Sequence, residues 1–482
     1  MAVFHVLLNW ASQALVFLVF LLFVAFLGYC LYIKHIHMKY DHIPGPPRDS
    51  FFFGHTATFL RIMNSGEVVH DTFLEWAKIY GPVYRINVLH YVGLYVNCPE
   101  ATKEILMSPK YPKDSFYKRV FNLFGQRFLG NGLITAQDHK QWYKQRRIMD
   151  PAFSSLYLRG LMGAFNDRAE KLMSKLTDIA DSKAETHMLN LMNCVTLDVI
   201  AKVAFGVDLD LLNNSSPFPK AIETSLKGLV YYARDPLFQF KPQNWSFINE
   251  VREACHLLRK TGAKWIHERK TAMENGEDVP KDILSQIIKS AGQEENMTKE
   301  DEEFMLDNFV TFFIAGQETT ANLLAFCTME LGRHPHVLEK VRQEVDDVIG
   351  MKQDISYDDL GRLIYLSQVL KETLRIYPTA PGTSRELPED MVIAGIHIPE
   401  GSSCYVSHSL VFMPYYCYYP FALGPRSCLG QNFAQMEAKV VMAKLLQRFD
   451  FTLVPGQSFD ILDTSSLRPK SGVLCSVRHR NH

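Results

Sequence analysis

Near its N-terminus the chain has an apolar run that only a membrane or a protein core can accommodate. Residues 11–33 are 23 consecutive positions without a charged side chain. As a helix this run would be about 34 Å long, enough to cross a hydrocarbon core of about 30 Å. Lys34 and Lys39 follow the run and no Lys or Arg precedes it, so the positive-inside rule places the remaining chain in the cytosol. We expect residues 1–33 to be a single-pass membrane anchor; the alternative is a buried core helix.

A proline-rich segment follows the apolar run. Residues 42–48 contain three prolines and one glycine, which oppose helix formation and stiffen the chain. We therefore expect residues 34–50 to form a rigid elbow between the anchor and a soluble domain of residues 51–482. An ordinary linker is compatible with the same pattern.

Composition excludes several classes of protein. The 51 Lys and Arg residues nearly balance the 52 Asp and Glu residues, whereas a nucleic-acid-binding chain is normally basic. With 47% hydrophobic and 21% charged residues the chain is not disordered. The nine cysteines include no C-x-x-C pair, which argues against a disulfide scaffold or a zinc ribbon and favours a reducing compartment.

Apolar periodicity indicates a mainly α-helical domain with a small β part. Helix-type spacing or strong helix formers occupy eight segments: 138–149, 160–180, 185–205, 248–274, 300–332, 335–350, 358–376 and 431–448. Residues 82–98 are rich in β-branched and aromatic side chains and predict a hairpin, and short strands are expected near 391–398 and 450–454. There is no regular βαβ alternation, so a Rossmann fold or TIM barrel is disfavoured.

The strongest local signal is the segment 421–430, which reads F-A-L-G-P-R-S-C-L-G. It resembles the haem-binding loop of the cytochrome P-450 family, F-x-x-G-x-R-x-C-x-G. Every fixed position is filled, by Phe421, Gly424, Arg426, Cys428 and Gly430. In such loops a cysteine thiolate binds the haem iron and donates electron density that favours O–O cleavage. The resemblance implies the P-450 fold, haem b as cofactor, Cys428 as iron ligand and Arg426 at a propionate. The alternative is a buried structural cysteine in a Gly/Pro turn.

Two further motifs of the family point to the porphyrin edge. Trp142 and Arg146 match its W-x-x-x-R, and their i,i+4 spacing places both on one face of a helix. Arg385 follows a Pro-Gly-Thr-Ser stretch. The resemblance implies that all three residues hold propionates.

A third motif lies inside the long predicted helix 300–332. Residues 315–320 read A-G-Q-E-T-T and match the family's A-G-x-[DE]-T-[TS]. The resemblance implies that Glu318 and Thr319 form an acid–alcohol pair that delivers protons. In the alternative reading, Thr319 bonds back to a helix carbonyl and Glu318 is solvated.

One motif of the family loses a partner in this chain. Glu372 and Arg375 match its E-x-x-R, a buried pair that the family ties to a third residue, an arginine in a Pro-x-Arg-Phe motif. Only 19 residues separate Gly401 from Phe421, and the family has roughly twice that number. No arginine occurs between Arg385 and Arg426. A haem-poor, inactive sterol binder or a misfolded variant is therefore an alternative to an active enzyme.

The resemblance also implies a substrate class. Segments 42–48, 307–322 and 366–378 look most like the sterol hydroxylases of the family. The residues expected to line the substrate pocket are Phe116, Phe121, Ala315, Ala380 and Thr383. We expect hydroxylation of a sterol with O2; the alternative is the same chemistry on another lipid or a xenobiotic.

The electrons must come from a separate protein, because no flavin motif is present and Gly130-Asn131-Gly132 lacks the later glycine of G-x-G-x-x-G. The resemblance implies NADPH–cytochrome P-450 reductase as partner, at the endoplasmic reticulum membrane. Six basic residues are candidates for its docking site, with a solvated helical face as the alternative: Lys140, Lys144, Arg147, Lys439, Lys444 and Arg448.

Overall fold

The structure is a computed structural model that describes residues 2–292, 298–407 and 418–480. Within this part of the chain, helices dominate and the strands are short, which confirms the predicted fold class. The helices are α1 (Ala2–Tyr40), α2 (Thr56–Ser65), α3 (Val69–Tyr80), α4 (Pro99–Met107), α5 (Phe116–Phe121), α6 (His139–Met149), α7 (Ser155–Arg159), α8 (Met162–Ser182), α9 (Met188–Phe205), α10 (Phe218–Arg234), α11 (Trp245–Glu274), α12 (Ile283–Gly292), α13 (Lys299–Arg333), α14 (Pro335–Val348), α15 (Tyr357–Arg362), α16 (Ile364–Ile376) and α17 (Gln431–Arg448).

The strands form small sheets beside the helical body. They are β1 (Val83–Val88), β2 (Tyr91–Val96), β3 (Asn122–Leu123), β4 (Gln126–Arg127), β5 (Glu185–His187), β6 (Gly382–Glu386), β7 (Met391–Ile393), β8 (Ile396–Ile398), β9 (Ser403–Ser407), β10 (Phe449–Leu453), β11 (Ile461–Asp463), β12 (Leu467–Pro469) and β13 (Leu474–His479). The largest sheet has the order β1-β2-β9-β6, and the hairpin β1–β2 confirms the prediction for 82–98.

Three predicted boundaries differ from the structure. The predicted helix 358–376 is two helices, α15 and α16, which meet at Leu363. The predicted helix 185–205 begins with strand β5, which pairs with β13. Helix α1 continues to Tyr40, so the first part of the predicted elbow is helical; the chain leaves the helix only shortly before Pro44. Sequence periodicity does not fix such ends, because pairing with distant strands and local caps decide them.

Helix α1 is exposed along its apolar length and docks only at its C-terminal end. The span Leu7–Tyr40 has a mean hydropathy of 2.8. None of its most apolar 18-residue stretch is buried, so the alternative of a buried core helix is wrong. Its length and composition are compatible with a membrane anchor. Tyr40 and Ile43 are buried in the hydrophobic cluster of the small β region, and Ile33 is also fully buried. Helix α9 is also long and apolar enough to span a membrane, but 78% of it is buried, which makes it a core helix.

The core of the molecule is built around α13, which runs for 35 residues and packs against α9, α11, α16 and α17. Thr298 caps its start in a capping box with Asp301, and the helix ends just before Pro335. The mid-helix Gly316 lets α9 approach closely, because a Cβ there would lie 2.9 Å from Cδ1 of Ile200. The central position of α13 places its middle turns beside the loop that precedes α17.

Candidate active site

The loop 418–430 is a compact turn that presents Cys428. The Cys428 N–H donates to the Phe421 carbonyl at 2.8 Å, and the Ser427 N–H donates to the Gly424 carbonyl at 3.0 Å. Gly424 has φ 71°, and a Cβ there would lie 2.2 Å from the carbonyl oxygen of Leu106. Only glycine fits this position. The loop ends at Gly430, the residue that precedes the first turn of α17.

Cys428 lies deep in the molecule, yet its side chain is exposed because it faces an internal cavity. Burial raises the pKa of its thiol, whereas the Gly430 N–H and the positive charge of Arg146 lower it. Helix α17 begins three residues further on, and the dipole of that helix favours negative charge at its N-terminus. The surroundings therefore provide several of the contacts that a thiolate needs.

The cavity has about 1430 Å³ of space not filled by protein atoms, including its mouth. Side chains of the loop 420–430 form one wall, and the middle of α13 forms another. The remaining walls come from α6, from the segment 374–383 and from Leu133 and Ile134. Apolar side chains dominate, and a few polar groups lie among them, as in small-molecule sites.

One face of α13 borders the cavity through Thr311, Ala315 and Thr319, which lie four residues apart. The Thr319 hydroxyl donates to the Ala315 carbonyl at 3.0 Å, the back-bond that the alternative reading anticipated. Glu318 does not border the cavity; its neighbours are Ser466 and Arg468. Its carboxyl is not solvated either: burial raises its pKa to about 7, against a lowering contribution from Ser466.

Trp142 and two arginines stand together at the cavity wall. The guanidinium of Arg426 lies over the Trp142 ring, 4.2 Å from its centroid, and Nη1 of Arg426 donates to the Ala136 carbonyl at 2.7 Å. Arg146 donates to the Ser427 carbonyl at 2.7 Å and to Asp150 at 2.6 Å. The predicted i,i+4 pair on α6 therefore meets the loop that holds Cys428.

Two further cations lie nearby: Lys113 borders the cavity, and Arg385 lies behind the lining residue Thr383. Arg385 is buried beside Thr383, whose hydroxyl accepts hydrogen bonds from Arg385 at 2.9 Å and from Nζ of Lys113 at 2.8 Å. Burial, and then the charge of Arg385, lower the pKa of Arg426 to about 9 and that of Lys113 well below its usual value. Nη2 of Arg385 has no hydrogen-bond partner among the described residues.

These observations fit a cofactor that carries two carboxylates and an iron atom. Buried cations that repel one another are stabilised by an anionic ligand, and haem propionates have that charge. The described residues contain no cluster of three or more His, Cys, Asp or Glu side chains that would bind a metal ion directly. A single cysteine at the cavity wall, Cys428, is the ligand type of a haem-thiolate site.

The structure brings most of the predicted pocket residues to the cavity, with two exceptions. Ala315, Ala380 and Thr383 border it. Phe116 is 39% exposed and does not border it. Phe121 also lies away from it, with the Arg127 guanidinium 4.7 Å from its ring centroid. Aromatic composition alone did not show which side of the short helix α5 would face inward.

Sequence reasoning missed several residues that border the cavity. They are Lys113, Leu133, Ile134, Phe153, Ile200, Thr311, Phe312, Thr320, Leu323 and Leu374, whereas Thr379 was expected beside Ala380 and Thr383. The positions Thr311 and Leu323 follow from Ala315 and Thr319 by steps of four residues along α13 and were therefore predictable. Lys113 and Leu133 lie in irregular segments, where periodicity carries no signal.

Glu372 and Arg375 form the predicted ion pair, but on the surface. Arg375 donates to both carboxylate oxygens of Glu372, at 2.6 and 2.7 Å. The side chains are 56% and 41% exposed, so the expectation of a buried pair is wrong for this chain. Within the described residues, each has only the other as an ion-pair partner. The short interval between Gly401 and Phe421 includes residues 408–417, which lie outside the described part of the chain.

Most of the six basic residues considered for docking have partners inside the protein. Lys444 is buried and donates to Glu170 at 2.9 Å, and Arg448 binds the same carboxylate. Lys144 pairs with Asp301 at 2.9 Å. In the same way, Nζ of Lys439 donates to the Leu360 carbonyl at 3.0 Å. The group is therefore not a free basic surface as a whole.

Comparison with known proteins agrees with this geometry. A family model described as Cytochrome P450 matches residues 44–413 and 408–476, two parts that meet inside the short interval. Cytochrome P450 4d2 of Drosophila melanogaster is 26% identical and covers 91% of this chain and 94% of its own. The 11-oxo-beta-amyrin 30-oxidase of Glycyrrhiza uralensis is 31% identical over 77% of this chain and 78% of its own. Cytochrome P450 3A7 of Homo sapiens is 29% identical over 85% of both chains. The chain belongs to the cytochrome P450 family of monooxygenases, whose cofactor is haem b.

Proposed function

We propose that this monooxygenase is membrane-anchored and hydroxylates a sterol, in the manner of cholesterol 24-hydroxylase, with O2 and electrons from NADPH. The observation that carries the proposal is the cavity in which Cys428, Trp142 and Arg426 meet the Thr319 face of α13. The segments that look most like sterol hydroxylases, 307–322 and 366–378, contribute residues to this cavity.

Cys428 would hold the haem iron through its sulfur. Trp142, Arg146, Arg385 and Arg426 would hold the propionates, because their donors lie at one side of the cavity. When bound, the haem supplies O2 activation and the insertion of one oxygen atom into a C–H bond. The role of the protein is to position the substrate, exclude water and supply protons.

Proton supply would use Thr319 and Glu318 in different ways. The Thr319 hydroxyl borders the cavity, so it would donate its proton there after leaving the Ala315 carbonyl. Glu318 has a pKa of about 7 and is therefore half-protonated near neutral pH. Its carboxyl lies outside the cavity lining and would reload the hydroxyl from the side of Ser466.

The substrate proposal rests on the lining and on the anchor. Ile134, Phe312, Ala315 and Ala380 give the cavity an apolar wall suited to a rigid lipid. The exposed α1 would hold the domain at the endoplasmic reticulum membrane, where a sterol enters from the bilayer. Electrons would come from NADPH–cytochrome P-450 reductase at the same membrane.

A second candidate function is an inactive, haem-poor sterol binder. The specific observation in its favour is the surface position of the Glu372–Arg375 pair, together with the short Gly401–Phe421 interval. A pair that is solvated contributes little to holding the haem loop in place.

The carbon monoxide difference spectrum of the reduced protein distinguishes the two candidates. We expect the red-shifted band of a thiolate-ligated haem in the wild-type protein and in Cys194→Ala, a half-buried cysteine distant from the loop. Cys428→Ala should lose both this band and sterol hydroxylation. A folded wild-type protein without the band would support the inactive candidate. Product analysis with a sterol, a fatty acid and a xenobiotic then tests the substrate class.

A further inference from the structure

A fully buried carboxylate lies at the upper end of the cavity face of α13. Asp307 accepts hydrogen bonds from Nε and Nη2 of Arg127 at 3.0 and 2.6 Å. Nη1 of Arg259 donates to it at 2.7 Å, and the backbone N–H of Asn131 donates at 2.8 Å. Arg259 also pairs with Glu303, one turn earlier on α13. One carboxylate therefore joins α13 to α11 and to the segment 126–131.

The next residue along α13 extends this connection. Oδ1 of Asn308 accepts the backbone N–H of Leu133 at 2.7 Å. Its amide nitrogen donates to Oε1 of Gln145 at 2.7 Å, and Gln145 lies on α6 between Trp142 and Arg146. We name Asp307, Asn308 and the donors Arg127, Arg259, Asn131 and Leu133 the α13 clamp.

Two glycines show how closely the clamped segment lies on α13. Gly130 has φ 49°, and a Cβ there would lie 2.1 Å from Oδ2 of Asp307. A Cβ at Gly132 would lie 2.7 Å from the hydroxyl of Thr311, which itself borders the cavity. At Gly130 and Gly132 the backbone of the segment therefore rests directly on the side chains of Asp307 and Thr311, so the clamp holds the segment close to α13.

The clamped segment continues directly into the cavity wall. Leu133 and Ile134 border the cavity, and the Ala136 carbonyl accepts the hydrogen bond from Arg426. These three positions lie within six residues of the Asp307 and Asn308 contacts. A shift of the segment away from α13 would move the apolar wall first.

We propose that the α13 clamp determines substrate size and affinity by fixing Leu133 and Ile134 as the wall that a bulky ligand contacts. Its residues are positioning residues, because they touch other protein groups and not the reacting atoms. The inference rests on the proposed function only in placing the substrate in this cavity. A ligand too small to reach the wall should be insensitive to the clamp.

The test measures the affinities of two azole probes of different size for the haem-loaded protein. Binding of each probe is monitored by the shift it causes in the absorption spectrum. Imidazole is small and tests only binding at the iron. Clotrimazole, an imidazole that carries a triarylmethyl group, is large enough to contact the apolar wall. Arg127→Gln removes two of the four hydrogen bonds to Asp307 and leaves Arg259 in place. Gly132→Ala inserts a methyl group between the segment and Thr311 without a change of charge. Arg480→Gln is the matched control, since Arg480 makes a similar two-bond contact with Asp346.

We expect Arg127→Gln and Gly132→Ala to bind clotrimazole about tenfold more weakly, or about 1.4 kcal/mol, with unchanged imidazole affinity. Arg480→Gln should bind both probes as the wild type does. Equal losses for both probes, or no loss for clotrimazole, would overturn the inference. If the wild type binds both azoles but no sterol, only the proposed substrate is contradicted. If it binds neither azole, the rate of hydrogen exchange at the Leu133 amide tests whether the clamp holds the segment. Arg127→Gln should accelerate this exchange, and Arg480→Gln should not.

Discussion

Burial gives the ionisable residues around the cavity opposite shifts according to their charge. It raises the pKa of Glu318 to about 7, because an ionised carboxylate is poorly solvated there. It lowers the pKa of Arg426 to about 9, and the charge of Arg385 adds to that shift. Burial therefore makes the charged form less favourable for groups of both signs, and a ligand of opposite charge offsets that cost.

Glu318 makes the stability of the protein depend on pH. Its folded-state pKa is raised, so the folded chain binds the proton more tightly than the unfolded chain does. The contribution of Glu318 to stability should therefore fall as the pH rises from 4.5 to about 7, the interval between the two pKa values. Glu318→Gln has no titrating carboxyl at this position and does not lose this stability. Its Tm should therefore rise relative to that of the wild type as the pH passes through the interval, with no such gain below it.

Thermal unfolding at pH 4 and pH 8 checks this prediction, with Glu302→Gln on the same helix as control. Lys270 donates a hydrogen bond to Glu302 and lowers the pKa of that carboxyl, so the control should gain nothing at pH 8. A Tm difference for Glu318→Gln that does not change with pH would contradict the assignment.

At the level of elements, the Glu372–Arg375 pair on α16 is exposed, whereas the motif implies a buried pair. A solvated i,i+3 pair stabilises a helix by only about 0.2–0.5 kcal/mol. A buried pair that loses one partner costs about 3–5 kcal/mol. The exposure of Glu372 and Arg375 in the structure places the pair in the first class.

We therefore expect Arg375→Gln to lower the free energy of unfolding by less than about 0.5 kcal/mol. Lys227→Gln is a suitable control, because Lys227 and Glu223 form a similarly exposed pair on α10. Chemical denaturation of both variants measures the effect. A loss of several kcal/mol, or loss of haem in Arg375→Gln alone, would show that the pair is buried in the active protein.

At the level of the whole molecule, the anchor and the domain share a small interface. Tyr29 bonds to His90 at 2.8 Å, Tyr40 and Ile43 are buried in the hydrophobic cluster of the β region, and Ile33 is fully buried as well. Residues 7–27 of α1 are exposed, as expected of a membrane anchor, and Phe26 touches the domain through the ring of Phe52 at 5.8 Å.

Two truncations separate these roles. Deletion of residues 2–28 should reduce binding to lipid vesicles and leave the stability of the domain unchanged. Deletion of residues 2–43 also removes Ile33 and Ile43, each worth about 1.5–3 kcal/mol when buried. It should therefore lower the free energy of unfolding by about 3–6 kcal/mol. Vesicle sedimentation and chemical denaturation in detergent measure the two effects, and equal stability of both truncated chains would contradict the interface.

Sequence-based prediction worked where short-range rules decide the outcome. The apolar helix at the N-terminus, most of the eight helical segments and the hairpin 82–98 follow from periodicity and composition over a few residues. The Cys428 loop was also predictable, because the glycines that shape it and the cysteine that it presents are neighbours in sequence. Fold class, cofactor and the position of the cavity therefore follow from local patterns.

The tertiary structure alone decided which side of an element is buried and which groups meet. Helix α17 packs against α8, α13, α14 and α16, so Lys444 is buried beside Glu170 although its charge predicts a surface position. Glu318 interacts with Ser466 and does not line the cavity, and Glu372 is exposed. These outcomes depend on contacts between segments far apart in the chain. The α13 clamp is of the same kind, since its partners lie more than 40 residues from Asp307 and no local pattern connects them.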